Sequence, residues 1–324
     1  MKKIILTAGA AALIIAALMI LKTTRKTSNP NAHKIGILQT ASHPALDAAR
    51  DGFIEELTSL LNGDVEWTIH NAQGIITQAH ALAQQFHANS SYDAFFAIAT
   101  PAAQALASVE KERPVIIAAV TDPVALGFVH PYTNICGVND MIDVATEIQM
   151  LTQLLPNTKT VGLLYTSGET NSLALVKIME KELIKRGLLV SHFAISNEAD
   201  VQAMAESACR KVDVLLAPSD NTIASTISLI SNIARDYKKP LIVSDNLLVQ
   251  YGPLAAQGVD YKESGKQAAR IAYQAIVEKK QPANLPIVMT ESDNVVINQE
   301  TLDLLGLSTP EVFNEHLVLV KDAQ

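Results

Sequence analysis

The chain has 324 residues, of which 48% are hydrophobic and 5% aromatic, so a large core of alanine and branched aliphatic side chains is expected. Its formal net charge is −8. The first 26 residues hold five basic and no acidic residues, which leaves −13 on the remainder. A surface of that charge repels phosphate backbones and argues against nucleic acid as a partner.

An uncharged apolar segment, Ile4 to Leu21, lies between Lys2-Lys3 and a second basic group that begins at Lys22. As a helix, a segment of this length would span about 27 Å, close to the thickness of the hydrocarbon core of a bilayer. Residues 1–33 are therefore interpreted as a signal peptide or an uncleaved membrane anchor, with a linker. The rest of the chain is expected outside the cytoplasm, in the periplasm or at the cell surface.

The remainder shows an internal repeat in which apolar strands alternate with helices. Residues 34–40 resemble residues 160–166, and residues 113–118 resemble residues 239–244, both at an offset of 126. A period of this length indicates two related domains, and unbroken apolar runs are typical of parallel strands that are covered on both faces. The predicted fold is α/β, with two doubly wound parallel-sheet lobes joined by a hinge with several crossovers.

The predicted helices follow capping signals. One runs from Pro44 to Leu61, a second begins with Thr100 as its N-cap, a third runs from Asn171 to Gly187 and a fourth begins at Asp220. A late helix, 264–280, is assigned to the first lobe, and the strand after it, 285–290, to the second. The predicted lobes are thus 34–135 with 258–284, and 136–257 with 285–324.

In open α/β sheets, ligands bind beyond the carboxyl ends of the strands. The loops at these ends are rich in Ser, Thr, Asn, Asp and Glu. Helix N-terminal turns there suit a carboxylate, whereas Asp122, Glu169, Asp220 and Asp245 suit an ammonium group, so a zwitterionic amino acid fits. Two alternatives remain: Thr100, Asn171 and Asn221 are equally suited to cap helices, and Asp122 to form a turn.

Motifs for catalysis and metal binding are missing from the sequence. It contains no G-x-S-x-G elbow, no Walker A loop, no G-x-G-x-x-G after the first strand and no H-E-x-x-H, so neither an enzyme nor a cofactor is predicted. Cys136 and Cys209 are interpreted as two buried thiols, with a disulfide as the alternative after export.

Four segments carry a family resemblance. Ile35-Gly-Ile-Leu-Gln-Thr-Ala-Ser-His-Pro-Ala-Leu-Asp47, residues 162–172, Pro218-Ser-Asp-Asn221 and Gly258-Val-Asp-Tyr261 resemble the tryptophan/tyrosine-type substrate-binding proteins of ABC transporters. The resemblance covers roughly residues 34 to 305.

This resemblance implies a type I periplasmic-binding-protein fold and a monomeric receptor without a cofactor. Its lobes would close over an amino acid, expected to be aromatic, and deliver it to a permease driven by a separate ATPase. The residues implied at the ligand pocket are Gln39, His43, Thr100, Thr121, Asp122, Glu169, Asn171, Ser172, Asp220, Asn221 and Asp245. The alternatives are a sensor component that hands a small molecule to a membrane signalling partner, and an enzyme on a doubly wound scaffold.

Overall fold

The computed structural model describes residues 29, 31–131, 133–289, 294–313 and 315–323. The predicted anchor at 4–21 lies outside these residues. Among the described helices, none has the length and apolar character needed to cross a membrane.

Two sheets form the framework of the molecule. Their strands are β1 (His33–Gln39), β2 (Val65–Asn71), β3 (Ala94–Ile98), β4 (Val115–Val120), β5 (Ile135–Asn139), β6 (Thr160–Thr166), β7 (Leu189–Ile195), β8 (Val214–Ala217), β9 (Leu241–Asp245), β10 (Ala255–Val259), β11 (Ile287–Met289), β12 (Val295–Asn298) and β13 (Leu317–Val320). The first sheet has the order β11-β5-β4-β3-β1-β2 and the second has the order β13-β12-β10-β9-β8-β6-β7.

All described strand pairs are parallel except β10 with β12, which pair antiparallel. The central strands of both sheets are buried along their whole length and apolar except for Ser244 and Asp245 at the end of β9, as the pattern of apolar runs predicted. The predicted α/β class with two mainly parallel lobes is confirmed.

Helices cover the sheets. They are α1 (Pro44–Leu60), α2 (Ile76–Ala88), α3 (Thr100–Val109), α4 (Val144–Leu154), α5 (Thr170–Lys185), α6 (Val201–Cys209), α7 (Asn221–Ser225), α8 (Ile227–Asp236), α9 (Tyr261–Ile276) and α10 (Gln299–Leu304). Short 3₁₀ turns are formed by Glu198–Asp200, Asn246–Tyr251, Pro282–Asn284 and Glu311–Phe313.

The chain crosses between the sheets at different points from those predicted. The strand predicted at 285–290 is β11, which pairs with β5 in the first sheet, so its assignment to the second lobe is wrong. The segment from 136 to 139 also lies in the first sheet, as part of β5, so the predicted boundary after residue 135 is too early. A short apolar strand can pair at the edge of either sheet, and its sequence does not specify which sheet it joins.

Helices α1 and α9 pack together over the first sheet at a distance that requires glycine. A Cβ atom added to Gly265 would lie 2.0 Å from the carbonyl oxygen of Ala49, and one added to Gly52 would lie 2.3 Å from the carbonyl oxygen of Lys262. Both neighbouring atoms belong to the backbone, so relief requires the helices to move apart.

We therefore expect Gly265→Ala to lower the free energy of unfolding by about 1–3 kcal/mol through overpacking, measured by urea denaturation. Gly168→Ala is the control, because a Cβ added at Gly168 meets no described atom within 4 Å. Equal stability of the two variants would show that α1 and α9 separate without cost.

Candidate functional site

A small cavity lies between the two lobes, beyond the carboxyl ends of strands from both sheets. Its volume is about 30 Å³, enough for one small polar group. Its wall consists of His43, Leu46, Ala99, Ala119, Asp140, Asn171, Pro218, Ser219, Asp220, Asn221, Ile223, Ala224, Val243, Ser244, Asp245, Leu248 and Tyr261.

The structure brings together only part of the implied pocket set. His43, Asn171, Asp220, Asn221 and Asp245 line the cavity. The remaining six residues of the set do not line this cavity: Gln39, Thr100, Thr121, Asp122, Glu169 and Ser172.

Several of the residues off the cavity wall have structural contacts instead. The Gln39 amide donates to the carbonyl of Ala41 and to Asp47, which fixes the loop that carries His43. Asp122 accepts from the backbone N–H of Ala125, which is the turn alternative.

Thr100 does not cap α3. It is the first residue of that helix, and the N-cap position belongs to Ala99, whose φ is 73°. The predicted N-cap is therefore wrong by one residue. The threonine-proline pair correctly marked the start of the helix. The residue before it, Ala99, has a positive φ and no side chain that could cap the helix.

Asp140 and Tyr261 line the cavity and were absent from the implied set. The Tyr261 hydroxyl donates to Asp140 Oδ2 at 2.8 Å, and both side chains are buried. Asp140 directly follows β5, so the rule of strand carboxyl ends applied to the Gly137-Val-Asn-Asp segment would have found it.

The cavity wall is acidic. Asp140, Asp220 and Asp245 are all buried, and no lysine or arginine is among the described residues that line the cavity. Burial, with a smaller contribution from the charge of Asp140, raises the pKa of Asp245 to about 7. Burial also raises the pKa of Asp140. Among the described residues of the cavity wall, no lysine or arginine side chain offsets the burial of these carboxylates.

Asp220 has a structural task in addition. Its carboxylate accepts from the backbone N–H of Thr166 at 2.6 Å, from the Thr166 hydroxyl at 2.8 Å and, as N-cap of α7, from the N–H of Ile223 at 3.0 Å. Asp220 thereby joins the end of β6 to the start of α7. Burial and the neighbouring Glu169 carboxylate raise its pKa to about 7.

Glu169, expected to hold an ammonium, lines a wider groove beside the cavity and holds the first turn of α7. Its Oε1 accepts from the backbone N–H and the hydroxyl of Thr222, both at 3.0 Å. Its Oε2 accepts from the backbone N–H of Asn221 at 2.9 Å and from the amide nitrogens of Asn221 at 2.6 Å and Asn171 at 3.3 Å. These donors occupy both carboxylate oxygens. The arrangement exists only because the fold brings the starts of α5 and α7 together.

His43 and Asn221 form a hydrogen bond between the lobes. The Nε2 atom of His43, in the loop before α1, lies 3.3 Å from Oδ1 of Asn221, at the start of α7. Burial lowers the pKa of His43, which favours the neutral ring. This contact joins the first lobe to the second at the cavity wall.

A wider groove of about 460 Å³ adjoins the cavity, and Asn221 lines both. Pro101, Ile75 and Ile76 contribute apolar surface from the first lobe, and Ile75 and Ile76 are 54% and 50% exposed. The two isoleucines follow β2, but sequence reasoning missed them because exposed aliphatic residues give no chemical signal.

Behind the cavity wall lies a further buried acid. The Ser244 hydroxyl donates to Glu147 Oε1 at 2.7 Å, while Oε2 has no hydrogen-bond partner in the described part of the chain. Burial raises the pKa of Glu147 to about 8.

Both cysteines are free and buried, which confirms the interpretation as buried thiols.

Comparison with known proteins agrees with this architecture. The chain is 32% identical over 290 residues to a tyrosine-binding protein of Clostridioides difficile, covering 87% of this chain and 84% of the relative. It also matches a Streptococcus pneumoniae ABC domain in complex with L-Trp, with 32% identity, a TM-score of 0.85, and coverage of 89% of this chain and 99% of that one.

A third comparison bears on lobe closure. The ligand-free, open structure of a Clostridium difficile substrate-binding protein with adhesive properties is 31% identical and covers 90% of this chain and 100% of its own, but its TM-score is only 0.68. This score is lower than that of the L-Trp complex, although the identity is nearly the same. In the structure described here, the two lobes are in contact at the cavity through His43 and Asn221.

The family model described as ABC transporter substrate binding protein matches residues 34–318. Proteins of this kind are extracytoplasmic receptors of importers and act by binding rather than by catalysis. Two sheets with an enclosed polar cavity between them, and a match over nearly all of the described residues, lead to one conclusion: the chain belongs to the ABC transporter substrate-binding protein family.

Proposed function

We propose that this protein captures an aromatic amino acid between its lobes, without covalent chemistry, and presents it to an ABC permease. The observation that carries the proposal is the set of buried carboxylates around a cavity whose described wall includes no lysine or arginine. An α-ammonium group supplies the missing charge through charge-assisted hydrogen bonds. Asp140 from the first lobe and Asp245 from the second make this contact a bridge between the lobes.

Size and chemistry support an organic cation with an extended body. The described residues include no group of three or more His, Cys, Asp or Glu side chains placed to hold a metal ion. The inner cavity accommodates an ammonium group, but a whole amino acid needs more space than about 30 Å³. The ligand body therefore extends past Asn221 into the groove of about 460 Å³, where Ile75, Ile76 and Pro101 offer apolar contacts to an aromatic ring.

Closure follows from these contacts. A ligand held by groups of both lobes binds the closed form more tightly than the open one, and this difference in affinity shifts the population toward closure. The tyrosine-binding relative and the L-Trp complex support an aromatic ligand. Membrane attachment through residues 4–21 and a monomeric state complete the proposal.

Calorimetric titration of the full-length protein tests it. We expect L-tryptophan or L-tyrosine to bind with one site per chain, and the deaminated controls, indole-3-propionate and 3-(4-hydroxyphenyl)propionate, not to bind, because they lack the ammonium group. Equal binding of the deaminated acids would contradict the ammonium site. Failure of every amino acid to bind would contradict the function.

A further inference from the structure

The hydrogen bonds around Glu169 fix which atoms of the site accept hydrogen bonds. Asn221 directs one amide atom at Glu169 Oε2, 2.6 Å away, and that atom must be the nitrogen because a carboxylate only accepts. The atom that faces His43 is therefore the amide oxygen.

The same logic applies to Asn171. Its amide nitrogen donates to Glu169 Oε2 at 3.3 Å and to the Ser219 carbonyl at 3.0 Å. Its oxygen Oδ1 is buried and has no hydrogen-bond partner among the described residues. Glu169 thus turns the nitrogens of both amides toward itself and leaves both oxygens directed elsewhere.

The orientation of Asn221 sets the proton on His43. Since an amide oxygen faces Nε2, that nitrogen must carry the hydrogen, and in a neutral ring Nδ1 then holds a lone pair. Nδ1 is buried without a partner in the described chain, although His43 stands at the N-cap position of α1, where a side chain often accepts from the helix. His43 is 7% exposed and lines the cavity.

We propose that Glu169 is a positioning residue that holds His43 in the Nε2–H tautomer through Asn221, so that Nδ1 and Asn171 Oδ1 accept hydrogen bonds from the ligand's ammonium group. This deepens the proposed function and rests on it. A primary ammonium has three N–H donors; two would bond to these neutral acceptors, and the third would point to the buried carboxylates Asp140 and Asp245 on the same cavity wall. The site therefore selects primary amines over N-methylated ones.

Burial keeps the His43 ring neutral against the charged groups near it. Glu169 and Asp47 both favour the protonated ring electrostatically, but burial outweighs them and the pKa of His43 is lowered. A positively charged His43 would also repel the ammonium.

The tautomer is measured first, in the amino-acid complex of full-length protein labelled with ring-¹⁵N histidine, because the His43–Asn221 contact between the lobes needs the closed form. The chain has eight histidines, and comparison with His43→Gln assigns the signal. We expect a protonated Nε2 and an unprotonated Nδ1 at pH 7. In Glu169→Gln, we expect a mixture of tautomers at His43, with Asp236→Asn, an exposed carboxylate, as the unchanged control.

Binding is measured second. We expect His43→Phe to weaken binding of the amino acid by about tenfold to a hundredfold, the usual range for a hydrogen bond to a charged group, and His43→Gln, which keeps an acceptor, to weaken it less. N-methyltyrosine or N-methyltryptophan should bind more weakly than the parent amino acid by a similar factor.

The outcomes separate the two proposals. A protonated Nδ1 in the amino-acid complex, unchanged affinity in both His43 variants, or equal binding of the N-methyl ligand overturns this inference while the amino-acid site stands. Absence of binding by any amino acid overturns the proposed function, and the ammonium contact with it, whatever the tautomer.

Discussion

Asp245→Asn is expected to lower the affinity for the amino-acid ligand by about 100-fold or more. Removing one partner of a buried, hydrogen-bonded charge pair costs about 2–5 kcal/mol, because the other charge loses its counterpart. Asparagine keeps the shape of the side chain and an oxygen for the N–H of Leu247, which Asp245 accepts at 2.9 Å. The substitution therefore removes charge and leaves the local structure in place.

The measurement is titration calorimetry at pH 8, with Asp236→Asn as the control. The wild-type protein should also bind more tightly as pH rises from 6 to 8. The pKa of Asp245 is about 7 without ligand, so a proton leaves before the carboxylate pairs with the ammonium. This dependence should be shallower in Asp245→Asn. Unchanged affinity would remove Asp245 from the ammonium site.

Glu147→Gln is expected to stabilise the ligand-free protein at pH 8 by several kcal/mol. The pKa of Glu147 is raised to about 8 from 4.5, so the folded state retains a proton that the unfolded chain releases above pH 4.5. A raised pKa of an acid makes stability fall as pH rises between these two values. Glutamine resembles the protonated acid, and its oxygen still accepts from Ser244.

Urea denaturation at pH 5.5 and pH 8.5 distinguishes this effect from a change in packing. We expect a small difference between the variant and wild type at pH 5.5 and a large one at pH 8.5. The control is Glu311→Gln, which removes an exposed carboxylate. An equal effect of Glu147→Gln at both pH values would mean that Glu147 does not titrate with folding.

The repeated strand pattern predicted the two lobes because apolar strands and helix signals are local. The same rule placed the candidate loops at the strand ends, where His43, Asp220 and Asp245 line one cavity. The role of Glu169 was beyond such reasoning, since its five donors come from α7 and from Asn171 and depend on packing.

The misassigned strand and the two missed isoleucines also depended on contacts between parts of the chain that are distant in sequence. The strand β11 contains only Ile287, Val288 and Met289, and nothing in three apolar residues identifies the sheet that they join. Exposed Ile75 and Ile76 look like ordinary surface residues until the second lobe is placed opposite them.

The order of strands in the first sheet has a consequence for synthesis. The edge strand β11 and the covering helix α9 are made only after β6 to β10, which build most of the second sheet. As the chain emerges from the ribosome, the first lobe therefore cannot complete its sheet until about residue 289 has been translated. Until then, apolar surfaces of β4 and β5 remain uncovered. Such late completion is expected to slow folding, because contacts distant in sequence form last, and to leave apolar surface open to aggregation in the meantime.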